Sequence, residues 1–294
     1  MKSPPVGKRI LIIYNPSAGG GAEAHLAAVK TALEERRCDV TLLATGSASQ
    51  LSTLYRDFVA SDWDVVAIAG GDGTLMEAIN GLRQGSPVLA LIATGTANVV
   101  ALDLGLVVGA NALADIIVAG RTKQLCAGQV NNKLFTFTAG VGFDAAVVAR
   151  VRPRIKKWTG KLAFALAAMG TLVAYRYPVY RLTIDDKVYS GVGAIILNGR
   201  YYAGKHIVSA DNDLGNGSLC VVILNRPGRI AALSYSLAML LDRLPSRSDV
   251  TVLKQVRSIE IAGDDATPVQ IDGEIACHLP VRTTADAARF DILA

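Results

Sequence analysis

The sequence predicts an N-terminal doubly wound parallel α/β domain followed by a mainly antiparallel β domain. Three observations carry this. Before residue 120, short apolar runs without polar alternation are separated by stretches of helical spacing. Glycine-rich loops follow three of those runs. After Gly120 the apolar runs begin to alternate, and turn residues separate them. Apolar strands that lack alternation belong to sheets covered on both faces, as parallel sheets are.

The elements follow in order. Ile10–Tyr14 reads as a buried strand, and Ala22–Arg36 as an amphipathic helix carrying Leu26, Val29 and Leu33 on one face. Val40–Leu43 is the next strand and Leu51–Val59 the next helix. Val65–Ala69 is a third strand, leading through Gly70–Thr74 into helix Leu75–Leu82. Val88–Ile92 is a fourth, followed by Thr94–Asn98 and further helix to Val118. Beyond it, Lys123–Val130 and Lys133–Ala139 form a hairpin around Asn131-Asn132. Val179–Ile184 turns at Asp185-Asp186 and returns as Val188–Leu197. Val208, Leu219–Leu224, Arg257–Ala262 and Val269–Ile271 add short strands. Helices Lys157–Tyr175 and Arg229–Leu241 interrupt them, and Met239 in the Leu233–Leu241 stripe is a core position. The boundary falls near Leu125, giving domains of residues 1–125 and 126–284.

Composition excludes several function classes. At 294 residues, either half can bury its own core. Hydrophobic residues at 51% and charged residues at 19% exclude a disordered chain. The net charge of +5 is scattered, apart from a cluster at Arg150–Lys161, so no nucleic-acid-binding stripe is present. Cys38, Cys126, Cys220 and Cys277 form no C-x-x-C pair and read as buried thiols of a reducing compartment. The longest apolar stretch, Leu162–Tyr175, falls short of the roughly 18 residues of a membrane span. His25, His206 and His278 form no cluster.

Three loops, Asn15–Gly21, Gly70–Thr74 and Thr94–Asn98, leave the C-terminal ends of parallel strands, where open α/β sheets bind ligands. Glycine there lets the backbone approach a phosphate, and the next helix offers free N–H groups. Asp72 sits where strand gives way to helix, either as a helix cap or as a carboxylate directed at a nucleotide phosphate. In the second role it acts through Mg²⁺ or a bound water, since two anions repel. No Walker-type G-x-x-x-x-G-K-[ST] and no G-x-G-x-x-G is present, which excludes those phosphate sites.

The set as a whole resembles the diacylglycerol-kinase catalytic family, which includes bacterial soluble lipid kinases and the sphingosine and ceramide kinases. The resemblance rests on Tyr14-Asn15-Pro16-Ser17-Ala18-Gly19, on GGDGT at residues 70–74 with Glu77 and Asn80, and on Ile92–Asn98. It continues through Gly140–Ala145 and Asn198–Gly204 and ends at Ile271-Asp272-Gly273-Glu274. It implies ATP- and Mg²⁺-dependent phosphorylation of a lipid hydroxyl by a cytoplasmic protein peripheral to the inner face of the membrane. It admits a homodimer and involves no nucleic acid. It further implies that the second domain is a β-sandwich and that about residues 285–294 return to the first domain as a strand. Carried over by position, Asn15, Pro16, Ser17, Thr45, Gly70, Gly71, Asp72, Gly73, Thr74 and Thr96 surround the nucleotide, and Glu274 accepts the proton. A lipid hydroxyl has a pKa far above 7, so its attack needs a carboxylate to take the proton. Asp272 and Glu274 alternate on an extended segment and so point to opposite sides; a hairpin turn is the other reading of this triplet.

The chain departs from the family at Met76, Val99 and Asn216. Asn216 stands where relatives place an Asp that holds a structural Mg²⁺. A weak site at Asp213, Asn216 and Ser218 is expected, against the alternative of a solvated turn. Lys156, Lys157, Trp158 and Lys161 ahead of an apolar helix suit an anionic membrane surface, or a helix packed on the β domain with its lysines extended to water. A kinase of a soluble substrate, such as an NAD kinase, and a non-catalytic nucleotide or lipid sensor are the competing functions.

Overall fold

The computed structural model describes residues 7–16, 22–45, 63–82, 87–151 and 161–294. The expected helix Leu51–Val59, Ser17, and the Lys156-Lys157-Trp158 cluster lie outside the described residues. The chain forms two compact units, Met1–Leu125 with Ala288–Ala294, and Cys126–Ala287.

The first unit is a parallel sheet. Strands β1 (Arg9–Tyr14), β2 (Asp39–Ala44), β3 (Val65–Gly70) and β4 (Val88–Ala93) lie in the order β2-β1-β3-β4. Ile10, Leu11, Ile12 and Ile13 are all 0% exposed, so both faces of the sheet are covered. Among the described residues its helices are α1 (Ala22–Glu35), α2 (Asp72–Gly81), α3 (Val99–Leu104) and α4 (Ala110–Ala119). One core joins Leu26, Val29 and Leu33 of α1 to Ile10, Ile12 and Ala67 of the sheet and to Leu113 and Ile117 of α4. The single helix expected up to Val118 is in fact α3 and α4. Gly105, at φ +77°, ends α3 in the left-handed conformation that halts a helix.

The second unit is an antiparallel β-sandwich. Its elements are β5 (Thr122–Val130), β6 (Lys133–Phe135), β7 (Thr138–Val141), α5 (Phe143–Arg150), α6 (Lys161–Ala174), β8 (Tyr180–Ile184), β9 (Lys187–Gly191) and β10 (Gly193–Leu197). They continue with β11 (Tyr201–Tyr202), β12 (His206–Ile207), β13 (Leu219–Leu224), α7 (Arg229–Leu240), β14 (Val250–Val256), β15 (Ser258–Ala262), β16 (Pro268–Ile271), β17 (Glu274–His278) and β18 (Val281–Leu293). One layer runs β14-β13-β10-β7-β16-β17; in the other, β18, β15, β8 and β9 are neighbours in that order. The first residues of β18 pair with β15, whereas Ile292 near its end lies beside Leu89 of β4. The last residues of the chain thus complete the parallel sheet of the first unit.

Three expectations are corrected. Lys133–Ala139 is not one strand: it breaks between β6 and β7, because the N–H groups of Thr136, Phe137 and Thr138 go to the Asp272 carboxylate. Val188–Leu197 breaks at Val192, where the chain passes from one layer to the other. A side chain at Gly191 would collide with Ile223, which explains the glycine there. Asp272 and Gly273 are not extended. They have φ +47° and +82° and form the two-residue turn between β16 and β17, with Ile271 opposite Glu274. Asp-Gly is a strong short-range signal for such a turn. In the Leu233–Leu241 stripe Met239 is core as expected, together with Tyr235 and Ala238, while Leu233, Leu237, Leu240 and Leu241 face outward. Strands β14 and β17 and helix α5 were not foreseen. Cys277 is only half-buried, unlike the other three cysteines.

Candidate functional site

In the first unit, β3 runs into Gly70-Gly71 and α2 begins at Asp72. The loop after β4 is brought against it: Thr94 N–H donates to Gly70 O at 3.1 Å, and a Cβ on Gly95 would fall 2.5 Å from Gly71 Cα. Only two glycines permit this backbone approach. A Cβ on Gly70 would strike Thr74, whose side chain folds over it. Asn98 fixes the second loop. Its Oδ1 accepts from Gly95 N–H at 3.0 Å and its Nδ2 donates to Gly95 O at 2.7 Å, with Asn98 itself at φ +50°.

Asp72 is half-buried, and its Oδ1 accepts from Val100 N–H at 3.3 Å. The carboxylate therefore serves the N-terminus of α3. Burial raises its pKa, opposed by the N–H groups of Val99, Val100, Asp72 and Asn98. Asn98 and the start of α3 were not singled out from sequence, although the Gly95…Asn98 spacing is that of a side chain bracketing a turn. Thr45 is buried, and its hydroxyl donates to Tyr14 O at 3.1 Å, closing the end of β1 next to Asn15 and Pro16. Thr96 is exposed on its loop.

In the second unit, three of the sequence motifs converge. Asp144 lies in the first turn of α5. Its Oδ2 accepts from Tyr202 OH at 3.0 Å and from Gln270 Nε2 at 3.4 Å. Gln270 Oε1 in turn accepts from Gly273 N–H at 3.0 Å, in the turn that leads to Glu274. Gly140 leaves room for this carboxylate, since a Cβ there would lie 2.4 Å from Asp144 Oδ2. Sequence reading quoted these motifs but missed Asp144, Tyr202 and Gln270 as a unit. Residues 58 and 126 positions apart give no local signal.

Asp144 opens onto a cavity of about 100 Å³ lined by Phe143, Tyr177, Ile195, Leu224 and Met239, with Tyr202 beside the carboxylate and Arg226 also on the wall. Phe143 stacks on Tyr177 with ring centroids 6.2 Å apart. The cavity is apolar with one carboxylate, a combination suited to a largely apolar ligand bearing one polar group. Burial pushes the Asp144 carboxyl up to about 6, against hydrogen bonds from Ala145 N–H, Tyr202 and Gln270. This folded value lies above the unfolded one, so the folded state binds more protons from pH 3.8 to about 6. Stability is lost as the pH rises through that window. Asp144→Asn should therefore gain on wild type by roughly 2–3 kcal/mol between pH 4 and pH 8. Urea midpoints across that range measure it, and a constant difference would contradict the linkage.

Asp272 is 7% exposed. Its Oδ2 accepts from Thr136 N–H at 2.7 Å and Thr136 Oγ1 at 2.8 Å, and its Oδ1 from Phe137 and Thr138 N–H at 3.0 and 2.9 Å. Burial raises its carboxyl to about 6 against these four donors. Glu274 is exposed at the start of β17, and Gly273 has open space where a side chain would stand. The two carboxylates do differ in environment, but a turn separates them, not strand alternation.

The polar groups of the Asp213–Ser218 loop bond one another. Asp213 Oδ1 accepts from Gly215 N–H at 2.7 Å, and Asn216 Oδ1 accepts from Ser218 N–H and Oγ at 2.9 and 3.0 Å. The carbonyl of Gly217 accepts from the Arg257 guanidinium, which places a cation on the loop already. Among the described residues no group of three His, Cys, Asp or Glu converges to hold a metal. These hydrogen bonds are those of side-chain-bracketed turns, and a cation at Asp213, Asn216 and Ser218 would have to displace them.

Residues 9–130 match the diacylglycerol kinase catalytic domain family, and residues 138–294 match the YegS C-terminal NAD kinase beta sandwich-like domain. The chain is 27% identical over 282 residues to a diacylglycerol kinase of Bacillus subtilis, covering 93% of this chain and 92% of that one. It is 24% identical over 278 residues to one of Staphylococcus carnosus, covering 93% and 90%. A crystal structure of a diacylglycerol kinase from Bacillus anthracis superposes with a TM-score of 0.76 at 25% identity, covering 99% of this chain and 98% of that one.

Proposed function

Because the chain belongs to the diacylglycerol kinase catalytic-domain family and is a kinase, we propose that it transfers the γ-phosphoryl group of MgATP to the hydroxyl of a lipid. The observation that carries the lipid reading is the apolar cavity with the Asp144–Tyr202 pair on its wall. A carboxylate in an apolar cavity of about 100 Å³ can hold the hydroxyl end of a lipid, with aromatic and aliphatic walls against its first carbons. Asn15, Pro16, Ser17, Thr45, the Gly70–Thr74 loop and Thr96 surround the nucleotide. The backbone N–H groups of the glycine loop face its phosphates, and Asp72 orients the Mg²⁺ that travels with ATP. Glu274 takes the hydroxyl proton as the new P–O bond forms. Its exposure and the open space at Gly273 support that role, since a general base must be reached by its substrate. The enzyme would work in the cytoplasm, peripherally at the inner face of the membrane. No helix among the described residues is long and apolar enough to cross one.

Radiolabelled ATP with diacylglycerol, ceramide, a sphingoid base and phosphatidylglycerol in mixed micelles, with NAD as a soluble control, tests the proposal. Label is expected in one lipid product. Label in NAD alone would favour the soluble-substrate kinase, and ATP binding without any transfer would favour a sensor.

A further inference from the structure

Strand β16 is buried along most of its length: Val269, Gln270 and Ile271 are each 2% exposed. Gln270 is the polar one of the three, and a buried side-chain amide needs partners at both of its ends. Its oxygen accepts from Gly273 N–H at 3.0 Å, and its nitrogen donates to Asp144 Oδ2 at 3.4 Å. A backbone N–H can only donate, so the amide oxygen must lie at Gly273 and the NH2 group at Asp144. Asp144 is then an acceptor, from Gln270 and from Tyr202 at 3.0 Å. The neighbouring strand leaves room for this pair. Gly140 of β7 is the register partner of Gln270, and a Cβ there would lie 2.4 Å from Asp144 Oδ2 and 3.0 Å from Gln270 Nε2.

The two residues of the turn that Gln270 reaches are held by different groups. Asp272 is fixed by its carboxylate on Thr136, Phe137 and Thr138, and by its own N–H on Thr138 O at 2.8 Å. Gly273, at φ +82° with open space where a side chain would stand, is the more permissive half, and Glu274 follows it directly. Gln270 takes the N–H of that half. We infer that Gln270 is a positioning residue, which holds the Gly273 half of the turn, and with it Glu274, fixed relative to the carboxylate of the apolar cavity. The inference rests on the reading of Glu274 as proton acceptor and deepens it. Asp144 lies on α5 and Glu274 on β17, so the group that would hold the lipid hydroxyl and the group that would take its proton belong to different elements. Gln270 bonds to the one and to the turn that carries the other. A misplacement of about 1 Å can cost about 10²-fold in rate, so such a link bears on turnover.

The probe is Gln270→Met, similar in length and apolar, made alone and together with Glu274→Gln. Labelled-phosphate transfer from ATP is measured on whichever of the four lipids takes label with wild type, and folding is checked by circular dichroism and urea unfolding. Gln270→Met alone should lower kcat about 10- to 100-fold and leave the KM for ATP unchanged. In the Glu274→Gln background, where no base remains to be aimed, the same change should cost nothing further. A residue that only supports the fold would cost the same in both backgrounds, and that result would overturn the inference. So would a wild-type kcat for Gln270→Met. Gln270→Glu is the second variant, and it keeps an acceptor for Gly273 N–H. Its new carboxyl meets Asp144, and the two stay together only while they share a proton. Tyr202, Tyr175 and Tyr180 are the other titratable side chains about Asp144, and burial holds all three above the usual tyrosine range. Asp272 and Glu274 are the acids of the adjoining turn. Gln270→Glu should therefore keep most of its transfer at about pH 6 and lose it by about pH 8, beyond any loss in wild type. A constant ratio of variant to wild type across that range would separate Gln270 from Asp144 and overturn the link. Full transfer by Glu274→Gln alone would instead overturn Glu274 as the base, the reading on which the inference rests.

Discussion

Glu274→Gln is expected to leave the fold and ATP binding intact and to lower phosphoryl transfer by about 10²–10⁴, the range for loss of a general base. The side chain is exposed at the first residue of β17, so the isosteric amide disturbs no packing. Asp272→Asn should fail differently. Its carboxylate accepts four hydrogen bonds in a buried site. An amide turns one of the two acceptor atoms into a donor that faces N–H and O–H groups. Each buried donor left without a partner costs about 1–3 kcal/mol, so a loss of roughly 2–5 kcal/mol is expected. The Thr136–Thr138 segment and the turn before Glu274 would loosen together. Calorimetric ATP binding, urea unfolding and labelled-phosphate transfer on both variants separate the cases. A stable Asp272→Asn that loses transfer more than Glu274→Gln would make Asp272 the proton acceptor.

Asp72→Asn should retain the fold and lose about 10²–10³ in turnover, the usual effect of removing one charged element from a phosphoryl-transfer site. The test is sharp because the structure gives Asp72 a second, purely local task. Its Oδ1 accepts from Val100 N–H at the start of α3, which an asparagine side chain can still do. The amide keeps the cap and removes the charge, whereas Asp72→Ala removes both, at a further cost of about 1 kcal/mol in stability. Near-normal turnover of Asp72→Asn at saturating Mg²⁺ and ATP would reduce Asp72 to a helix cap.

Much of the fold was legible because its signals are local. The runs Ile10–Tyr14, Val65–Ala69 and Val88–Ile92 lack polar alternation because both faces of their sheet are covered. The glycines at residues 71 and 95 are informative because only they allow two loop backbones to approach so closely, and Gly70 makes room for the Thr74 side chain. The Asp272-Gly273 turn was equally local, and its dipeptide signal was overridden by an assumed extended segment. The Leu233–Leu241 stripe shows the limit of periodicity. Helical spacing identifies a helix with apolar positions, but α7 carries them on both faces, and spacing cannot say which face is inside.

The sequence by itself determined the alternation of strands and helices in the first unit, the glycine loops at the ends of β3 and β4, and the acidic residues around which chemistry can be built. These depend on contacts among residues a few positions apart. Only the tertiary structure decided what those acids do. It set Asp72 against the N-terminus of α3 and joined Asp144 to Tyr202 and Gln270. It committed Asp272 to the backbone of Thr136–Thr138, and it placed Arg257 on the Gly217 carbonyl of the Asp213–Ser218 loop. The reason is physical. A carboxylate's role is set by the donors, charges and solvent around it, and in a folded chain most of these arrive from distant positions.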